Sequence, residues 1–551
     1  MLATLVLTNG HFYTMDASQP RVSAVAVRDG VIVATGNDDE MRALLAPGGE
    51  WLDLGGRTVI PGLVDAHVHF QWFSLNLQRV DLYEVPSKDE ALRRIAATAG
   101  TLAPGQWLEG RGWTQEVWAD RAFPTAADLD AVAGHVPAYL AHKSGHAAWV
   151  NSRALKLAGI TADTPDPAGG QIARDDHGEP TGLLLESAMD LVARLIPPPT
   201  PSAVAAAMRA AQPVCWQAGL TGLHDFDGRT SFGALQMLQE AGELGLRVVK
   251  NIPVYRLEHA TGIGLRSGFG NDWLRIGGVK IFADGALGPR TAHMIEPYEG
   301  EPENRGIAVT DKEEMMALAA EASAHGLSVT IHAIGDRANH DVLDVYAALR
   351  RQELAAAGLL HDGDEQTLQV ALSKLSRPLR HRIEHVQIIH PDDLPRLANL
   401  GIIASMQPSH ATADMEMADR YWGARARHSY AWRSVLDTGA TLVFGSDSPI
   451  EPIAPLPGLY AAVARRRADG SPGEAGWYPE QKLALEEAVR AFTLAAAETS
   501  GQSDRLGTIA PGRLADLTIL SHPIFELPAE ALLETTVDAT LVGGVFRHRT
   551  F

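Results

Sequence analysis

The chain has 551 residues, 46% of them hydrophobic, which is enough apolar material for a large core or for several domains. Its formal net charge of -20 argues against a nucleic-acid-binding surface, which needs clustered Lys and Arg. The single cysteine, Cys215, excludes internal disulfide bonds and thiolate metal clusters. No segment reaches the roughly 18 uninterrupted apolar residues of a membrane span, and no secretory signal begins the chain. We therefore predict a cytoplasmic protein without nucleic-acid or membrane partners.

The two ends of the chain share alternating apolar residues and turn glycines. Residues 1–57 contain "ATLVLTNGHFYTMD" and "VSAVAVRDGVIVATG", and residues 501–551 contain "LGTIAPGRLADLTILS" and "VDATLVGGVFRHR". Neither end carries a helical pattern, so the alternation predicts antiparallel strands. We expect both ends to combine into one small β-sandwich.

Eight short apolar runs, each closing on polar residues, lie between these ends, in residues 58–500. In chain order they are "TVIPGLVDAHVHF", "GLTGLHDFD", "RVVKNIPVY", "IGGVKIFADG", "LSVTIHAIGD", "LRHRIEHVQ", "GIIASMQPSH" and "TLVFGSDSP". Helical patterns of about 10 to 15 residues separate most of the runs. Eight strands that alternate with helices predict an α/β fold with a closed (β/α)8 TIM barrel.

The connection between the first and second runs, about residues 71–205, is too long for one crossover helix. It holds five of the 11 tryptophans. We interpret it as an inserted subdomain. Because long loops at the carboxyl face of a barrel border its active site, we expect the insertion to form a wall of the substrate pocket, although a decorative insertion is the alternative.

Polar side chains recur where the predicted strands end. His67 and His69 close the first strand, and side chains two apart lie on the same face. The other strand ends carry Lys280 (strand four), His332 (strand five), His385 (strand six) and Asp447 (strand eight). Barrel active sites are assembled from the carboxyl ends of different strands. Neutral imidazoles and a carboxylate without thiolates suit Zn²⁺, with Mn²⁺, Fe²⁺ or Co²⁺ as alternatives.

Each of these residues also has a structural explanation when taken alone. A histidine in a strand is often a hydrogen-bonded core residue, Asp447 could cap a turn, and Lys280 could pair with Glu384. Chance would have to place all six at the same end of five strands, so a metal centre is favoured. Burial lowers the pKa of a lysine. A neutral Lys280 beside cations can take up CO₂ and become a carbamate, an anionic ligand with two oxygens.

Several long motifs, in order and spanning essentially the whole chain, carry a family resemblance. They are "PGLVDAHVHF", "SGHAAWVNSRAL", "KIFADGALG", "IHAIGDRAN", "RIEHVQIIHPDD", "ASMQPSHATADM", "FGSDSPIEPIAPLPGLYAAV" and "LGTIAPGRLADL". The sequence resembles the amidohydrolase superfamily of metal-dependent hydrolases with a (β/α)8 barrel. More narrowly, it is similar to the YtcJ-like amidohydrolases (amidohydrolase family 3), which include N-substituted formamide deformylases.

The resemblance implies a binuclear metal centre. One divalent ion goes to His67, His69 and Asp447, the other goes to His332 and His385, and carboxylated Lys280 bridges both. A metal-bound hydroxide then attacks an amide, N-formyl or N-acyl carbon, and Asp447 carries a proton to the leaving amine. The implied partner is a small-molecule amide substrate. A homodimer is common in that superfamily, whereas the sequence itself does not indicate an oligomeric state.

Further candidates lie near this centre, each with a structural alternative. His146 could contact the carbonyl oxygen or hold a turn. Arg290 could clamp an anionic group or form a solvent salt bridge. Trp149 offers a flat apolar face to substrate, and His410 follows strand seven. Asp284 and Asp336 are better explained as residues that order loops or orient the histidines.

Three other functions fit the sequence less well. Cyclic-amide opening, as in hydantoinases or dihydroorotases, is the nearest alternative. A single-metal deaminase needs a Glu after the strand-five histidine, and "IHAIGD" offers none. A non-catalytic scaffold would be expected to have lost ligands, whereas all six positions are filled. The sequence does not indicate a particular substrate.

Overall fold

Eight parallel strands form a barrel at the centre of the fold. They are β1 (Leu63–Val68), β2 (Leu220–Asp225), β3 (Arg247–Pro253), β4 (Leu274–Phe282), β5 (Ser328–Ala333), β6 (Arg382–His385), β7 (Ile403–Met406) and β8 (Leu442–Phe444). Neighbouring strands pair in sequence order, and a bridge between Val68 and Ser448 returns the last strand to the first. The predicted α/β fold with a (β/α)8 barrel is confirmed.

The computed structural model describes residues 2–83, 85–103, 105–143, 146–359 and 365–551. By internal contacts the chain divides into two compact units: Met1–Phe73 with Met208–Phe551, and Ser74–Ala207. The first unit contains the barrel and both chain ends. The second corresponds to the insertion that the sequence places at about residues 71–205.

Helices connect the barrel strands. Those between residues 201 and 500 are Pro201–Gln217, Arg229–Glu240, Leu257–Gly262, Lys312–Ala324, Asp336–Ala356, Glu365–Leu372, Leu394–Asn399, Pro408–Trp422, Trp432–Asp437, Pro455–Ala464, Leu485–Phe492 and Leu494–Ser500. Phe70–Asn76 follows β1 and runs into the insertion, and Asp38–Arg42 and Ala531–Glu534 lie between strands at the two ends of the chain. Pro408 is the first residue of the helix Pro408–Trp422, where its missing N–H costs nothing. The helix begins directly after β7, so the polar residues that follow this strand lie in the first helical turn. Within the described residues, no helix has the length and apolar character needed to cross a bilayer.

Strands from both ends of the chain form two further sheets. One sheet has the order Val31–Gly36, Ala24–Arg28, Ala3–Thr8 and Leu45–Asp53; the other has the order Val545–Arg549, Val537–Val542, Leu517–Leu520, Thr58–Pro61, His11–Tyr13 and Arg21–Val22. Apolar residues of both sheets share one core, including Leu5, Val25, Phe12 and Leu541. The expected β-sandwich is therefore present.

The first predicted run is divided between two sheets. Thr58–Pro61 pairs with Leu517–Leu520 in the sandwich, and Leu63–Val68 belongs to the barrel. Gly62 separates them, and a Cβ there would lie 2.3 Å from the Thr221 hydroxyl oxygen. The domain bounds 1–57, 58–500 and 501–551 remain interpretations of the sequence pattern.

The insertion has a sheet and core of its own. Its strands lie in the order Gly170–Arg174, Pro180–Glu186, Ala147–Val150, Ala138–His142, Leu108–Trp113 and Val80–Asp81; its helices are Lys88–Ala99, Ala126–Ala133, Ser152–Ala158 and Asp190–Ala193. One buried cluster contains Trp113, Trp118 and Trp149. A second contains Val150 and Leu184. Because Trp149 and Val150 are adjacent in a strand, the two clusters lie on opposite faces of the sheet.

Candidate metal centre

Imidazole and carboxylate groups converge at the carboxyl ends of the barrel strands. Ligand atoms of His67, His385 and Asp447 lie within 4.8 Å of one another, and all three residues are buried. The Nε2 atoms of His67 and His69 each lie 3.5 Å from Oδ1 of Asp447. The His332 ring centroid is 4.6 Å from that of His385. Five of the six predicted ligands therefore form one cluster.

Lys280, the sixth predicted ligand, is buried beside the same cluster. Its Nζ lies 4.9 Å from the ring centroid of Phe226 and 4.8 Å from that of Phe282. Burial lowers the pKa of Lys280 to about 8, against the opposing influence of Glu384 and Asp447. The alternative partner suggested by the sequence, Glu384, bonds instead to Arg382 and His67.

Polar partners orient three of the histidines. Nδ1–H of His67 donates to Oε2 of Glu384 at 2.6 Å. Nδ1 of His69 lies 3.1 Å from Oδ1 of Asp227, and Nδ1 of His385 lies 2.9 Å from Oε1 of Gln407. Since each acceptor holds the proton on Nδ1, Nε2 carries the lone pair. The buried Nε2 of His67 has no hydrogen-bond partner, so the residues present fit a metal ion.

The electrostatic environment keeps most of these imidazoles neutral. Burial, with the positive charge of Lys280, holds the pKa of His67 well below its usual range and lowers that of His332 to about 3. Burial also strongly lowers the pKa of His385. His69 differs: burial lowers its pKa, but the hydrogen bond and charge of Asp227 outweigh burial and raise it. Neutral imidazoles are the form that binds metals.

Backbone conformation brings the last strand against the first. A Cβ at Gly445 would lie 2.4 Å from the backbone nitrogen of His67, so only glycine allows this approach. The Asp65 carboxylate accepts hydrogen bonds from the backbone N–H groups of His67 and Ser446, which joins both strand ends. Asp447 has a φ of +60°, a left-handed conformation that is costly for a non-glycine residue.

His410 lies beside the cluster, in the first turn of the helix Pro408–Trp422. Its Nδ1 accepts a hydrogen bond from Nε2 of Gln387 at 3.4 Å, so the proton belongs on Nε2. That Nε2 is buried without a hydrogen-bond partner and lies 3.8 Å from Oδ2 of Asp447. The structure therefore brings this candidate to the metal centre with an N–H group to donate.

Arg290, Asp284 and Asp336 hold local structure. Arg290 forms an ion pair with Glu301, as in the salt-bridge alternative. The Asp284 carboxylate accepts hydrogen bonds from three backbone N–H groups, and Asp336 accepts two. Burial raises the pKa of Asp284 to about 7 despite those donors. The two aspartates order loops, in line with their interpretation from the sequence.

The candidates in the insertion differ from each other in exposure. Trp149 is 0% exposed, and its indole N–H donates to the Thr125 carbonyl at 2.7 Å. This placement gives Trp149 a packing role and leaves it no surface for substrate. The His146 side chain is 71% exposed, and its Nδ1 lies 3.0 Å from Oε2 of Glu186. Ser144 and Gly145 of the same motif lie outside the described residues.

Sequence reasoning did not identify Glu384, Asp227 and Gln407 as the residues that orient the histidines. Glu384 directly precedes His385, and strand alternation would send the two side chains to opposite faces. A φ of +77° at His385 breaks that alternation, so both side chains reach the centre. Asp227 had a recognisable signal, since it follows β2 at the carboxyl face, where a carboxylate can hold a metal-binding histidine. Gln407, directly after β7, has the same signal.

A (β/α)8 barrel with clustered histidines and a buried carboxylate at its carboxyl face indicates a metal-dependent enzyme. The comparisons with known proteins identify the particular class. The amidohydrolase family (Amidohydro_3) matches residues 50–548, and the chain belongs to it. It is a hydrolase acting on carbon–nitrogen bonds other than peptide bonds.

Relatives match the chain over nearly its full length. The amidohydrolase-family protein YtcJ of Bacillus subtilis (strain 168) is 32% identical, over 97% of each chain. The N-substituted formamide deformylase of Arthrobacter pascens is 30% identical, over 99% of this chain and 98% of that protein. A crystal structure of an uncharacterized metal-dependent hydrolase from Pyrococcus horikoshii OT3 superposes with a TM-score of 0.76. It is 27% identical, over 95% of this chain and 99% of that chain. The predicted family resemblance is confirmed.

Proposed function

We propose that the protein hydrolyses an N-formyl or N-acyl amide with two bound divalent ions, Zn²⁺ above all. The observation that carries the proposal is the buried, unpartnered Nε2 of His67, which lies within 4.8 Å of ligand atoms of His385 and Asp447. The full-length similarity to an N-substituted formamide deformylase supports the substrate class. One ion would be held by His67, His69 and Asp447, and the other by His332 and His385.

Lys280 would bridge both ions as a carbamate. The neutral lysine nitrogen bonds to the carbon of CO₂ and loses a proton, which leaves an anion with two oxygens. The burial of Lys280 supports this modification, because it disfavours the ammonium form. An ammonium ion among metal ligands would repel the metals, whereas a carbamate binds them.

The chain's own residues would move the proton. Metal ions held by these residues would supply an activated water and a polarised scissile carbonyl. The water oxygen bonds to the carbonyl carbon while Asp447 accepts the proton. Asp447 would then give that proton to the amide nitrogen as the C–N bond breaks. The carboxylic acid product loses the second proton of the water to solvent, so that a carboxylate and an amine leave. Burial raises the pKa of Asp447, which suits a group that must hold a proton briefly.

His410 would assist Asp447 or the substrate carbonyl. Its Nε2–H points into the cluster, 3.8 Å from Oδ2 of Asp447, and no hydrogen bond uses that proton. A donor in this position can steady the Asp447 carboxylate or the negative charge that develops on the carbonyl oxygen. The part of His146 in the reaction and the cytoplasmic location stay predictions from the sequence, and the homodimer stays an expectation from the family resemblance.

Metal analysis together with a substrate screen tests the proposal. The metal-loaded protein is incubated with N-substituted formamides, N-acyl amines, cyclic imides and esters. The number of metal ions per chain is measured by inductively coupled plasma mass spectrometry. We expect about two ions per chain and release of amine from the first two classes. Hydrolysis confined to cyclic imides would favour the cyclic-amide alternative, and a chain without bound metal would contradict the proposal.

A further inference from the structure

A cavity opens at the amino ends of the barrel strands, which are the ends away from the metal centre. It has a volume of about 450 Å³. Its walls include Arg275 near the start of β4, Ser328 at the start of β5 and Arg382 at the start of β6. The metal ligands stand at the opposite ends of the same strands. This cavity is therefore separate from the reaction proposed above.

The lining of this amino-end cavity is basic and rich in hydrogen-bond donors. Its arginines are Arg275, Arg377, Arg380 and Arg382, and its hydroxyl groups belong to Ser267, Ser328, Thr330, Ser376, Thr499 and Ser500. Among the described residues that line it, none is Asp or Glu. That composition is unexpected in a chain with a net charge of -20. Arginine forks with neighbouring hydroxyls are the groups that proteins use for phosphates and carboxylates.

Among the described residues that line the cavity, no carboxylate pairs with Arg275, Arg377 or Arg380. Arg382 is neutralised by Glu384, with Nε 2.5 Å from Oε1. Arg275 instead donates from Nε and Nη2 to the carbonyl oxygen of Gly268, a neutral group. Arg377 is exposed. The cavity thus carries positive charge that the surrounding side chains only partly balance.

Arg275 and Arg380 both line this cavity and carry charges of the same sign. Burial lowers the pKa of Arg380, the positive charge of Arg275 lowers it further, and Glu498 acts in the opposite direction. An anion placed between two guanidinium groups removes such repulsion. Arg380 also lies near the end of the helix Leu494–Ser500, because a Cβ on Gly501 would be 2.9 Å from its Nη1. Helix carboxyl ends attract cations, so Arg380 has a structural role that the test must separate from binding.

We propose that this amino-end cavity binds a small organic polyanion, bearing phosphate or carboxylate groups, through Arg275, Arg377 and Arg380. A volume of about 450 Å³ is in the range of small-molecule sites. Three arginines without a carboxylate partner among the described lining residues suit an occupant with two or more negative charges. The Ser328 hydroxyl accepts a hydrogen bond from the Arg380 backbone N–H and can donate its own proton to an anion oxygen. Four other hydroxyls of the cavity already donate to backbone carbonyl oxygens; they belong to Ser267, Thr330, Thr499 and Ser500.

Calorimetric titration with two probes, inorganic pyrophosphate and citrate, tests the proposal. The metal-loaded full chain is titrated at about 150 mM NaCl, where surface charges are largely screened. We expect saturable binding of one probe per chain for at least one of the two. Binding of pyrophosphate alone identifies a phosphate site, and binding of citrate alone identifies a carboxylate site. No saturable binding of either probe would overturn the proposal.

Two charge-matched double variants separate the cavity from the general charge of the protein. Arg377→Gln with Arg380→Gln removes two cavity cations, and Arg93→Gln with Arg153→Gln removes two from the insertion. The Arg377→Gln, Arg380→Gln variant should bind the probe at least tenfold more weakly, as expected for lost charge-assisted hydrogen bonds. The Arg93→Gln, Arg153→Gln variant should bind the probe as tightly as the wild type. Equal weakening in both pairs would contradict a localised site. If the loss of Arg380 disturbs its helix end, the exposed Arg377→Gln alone must still weaken binding, and an unchanged affinity would contradict the proposal.

Discussion

The proposed reaction depends on hydrogen bonds that decide which nitrogen of each histidine carries a proton. Glu384 holds the proton of His67 on Nδ1, and Asp227 does the same for His69. Glu384 is itself held by Arg382. A ligand histidine that has lost such a partner can rotate or change tautomer, which weakens metal binding. The metal centre therefore depends on these partners as well as on its ligands.

Asp447→Asn tests the proton carrier. The amide keeps the size of the side chain but cannot accept and return a proton. We expect kcat to fall by at least about a hundredfold, the range that general acid–base catalysis supplies. Steady-state kinetics with amine release as the signal measures this change, and metal content is determined in parallel. A kcat close to wild type at full metal content would show that another group carries the proton.

Lys280→Ala tests the carbamate bridge. The variant should lose metal and activity because the bridging oxygens are gone. Short carboxylic acids such as acetate or propionate should restore part of both, since they supply two oxygens to the space that the side chain leaves. Metal analysis and kinetics with and without the acid measure the effect. Lys374→Ala, at an exposed lysine, is the matched control, and full activity of Lys280→Ala without added acid would contradict the bridge.

At the scale of elements, the helix Asp336–Ala356 is joined to the start of β6 by a buried polar network. Nε2–H of His381 donates to Glu353 at 2.7 Å, while Nδ1 of His381 accepts from the Val329 N–H at 3.0 Å. His381 is therefore neutral. Arg350 pairs with the other Glu353 oxygen at 2.7 Å. These contacts attach the helix to strands that carry the predicted metal ligands at their far ends.

Glu353→Gln should make stability less dependent on pH in acid. Burial raises the pKa of Glu353, but the hydrogen bond from His381, the charge of Arg350 and the Ser323 hydroxyl outweigh it and lower the pKa to about 2. In the unfolded chain the Glu353 carboxylate has its ordinary, higher pKa, so it takes up a proton at a higher pH than in the folded protein. The contribution of about 1–3 kcal/mol is therefore complete above about pH 4.5 and is lost as the pH falls towards 2.

Denaturant unfolding of the wild type and Glu353→Gln between pH 2.5 and 6 measures this difference. The gap in the free energy of unfolding should be constant above about pH 5 and should shrink at lower pH. Glu313→Gln, at an exposed residue, serves as the control. A gap that stays constant over the whole range would show that Glu353 has an ordinary pKa in the folded protein.

At the scale of the whole molecule, the proposed ions connect distant parts of one unit. The predicted ligands come from β1, β4, β5, β6 and from the turn after β8. Removing the ions should leave several lone pairs and a carboxylate buried without partners, which is costly. The metal centre is thus expected to stabilise the barrel as well as to catalyse the reaction.

Metal removal by a chelator should lower the midpoint of thermal unfolding, and added Zn²⁺ should restore it. A site at a free metal concentration a thousand times its Kd contributes about 4 kcal/mol. Differential scanning calorimetry across a series of free Zn²⁺ concentrations should show a midpoint that rises with the logarithm of concentration. Mg²⁺, which binds nitrogen ligands poorly, is the control. A midpoint independent of Zn²⁺ would contradict a metal-stabilised barrel.

Local pattern was enough to predict the barrel and its candidate ligands. Each strand is a short apolar run, and the polar residue that ends it lies at the carboxyl face by the geometry of parallel strands. Residue spacing places His67 and His69 on one side, and no distant contact is needed to see this. The family resemblance follows from long motifs that are also local.

The tertiary structure alone decided how the ligands are held and which candidates are structural. His67 and Glu384 are separated by 317 residues, so no local pattern pairs them. The left-handed φ of His385 overrides strand alternation, and the burial of Trp149 depends on helices and strands elsewhere in the insertion. The amino-end cavity likewise gathers arginines from separate segments of the chain. Short-range spacing determines on which face of a strand, and at which end of it, a residue lies. The residue that it contacts is determined by packing between segments far apart in the chain.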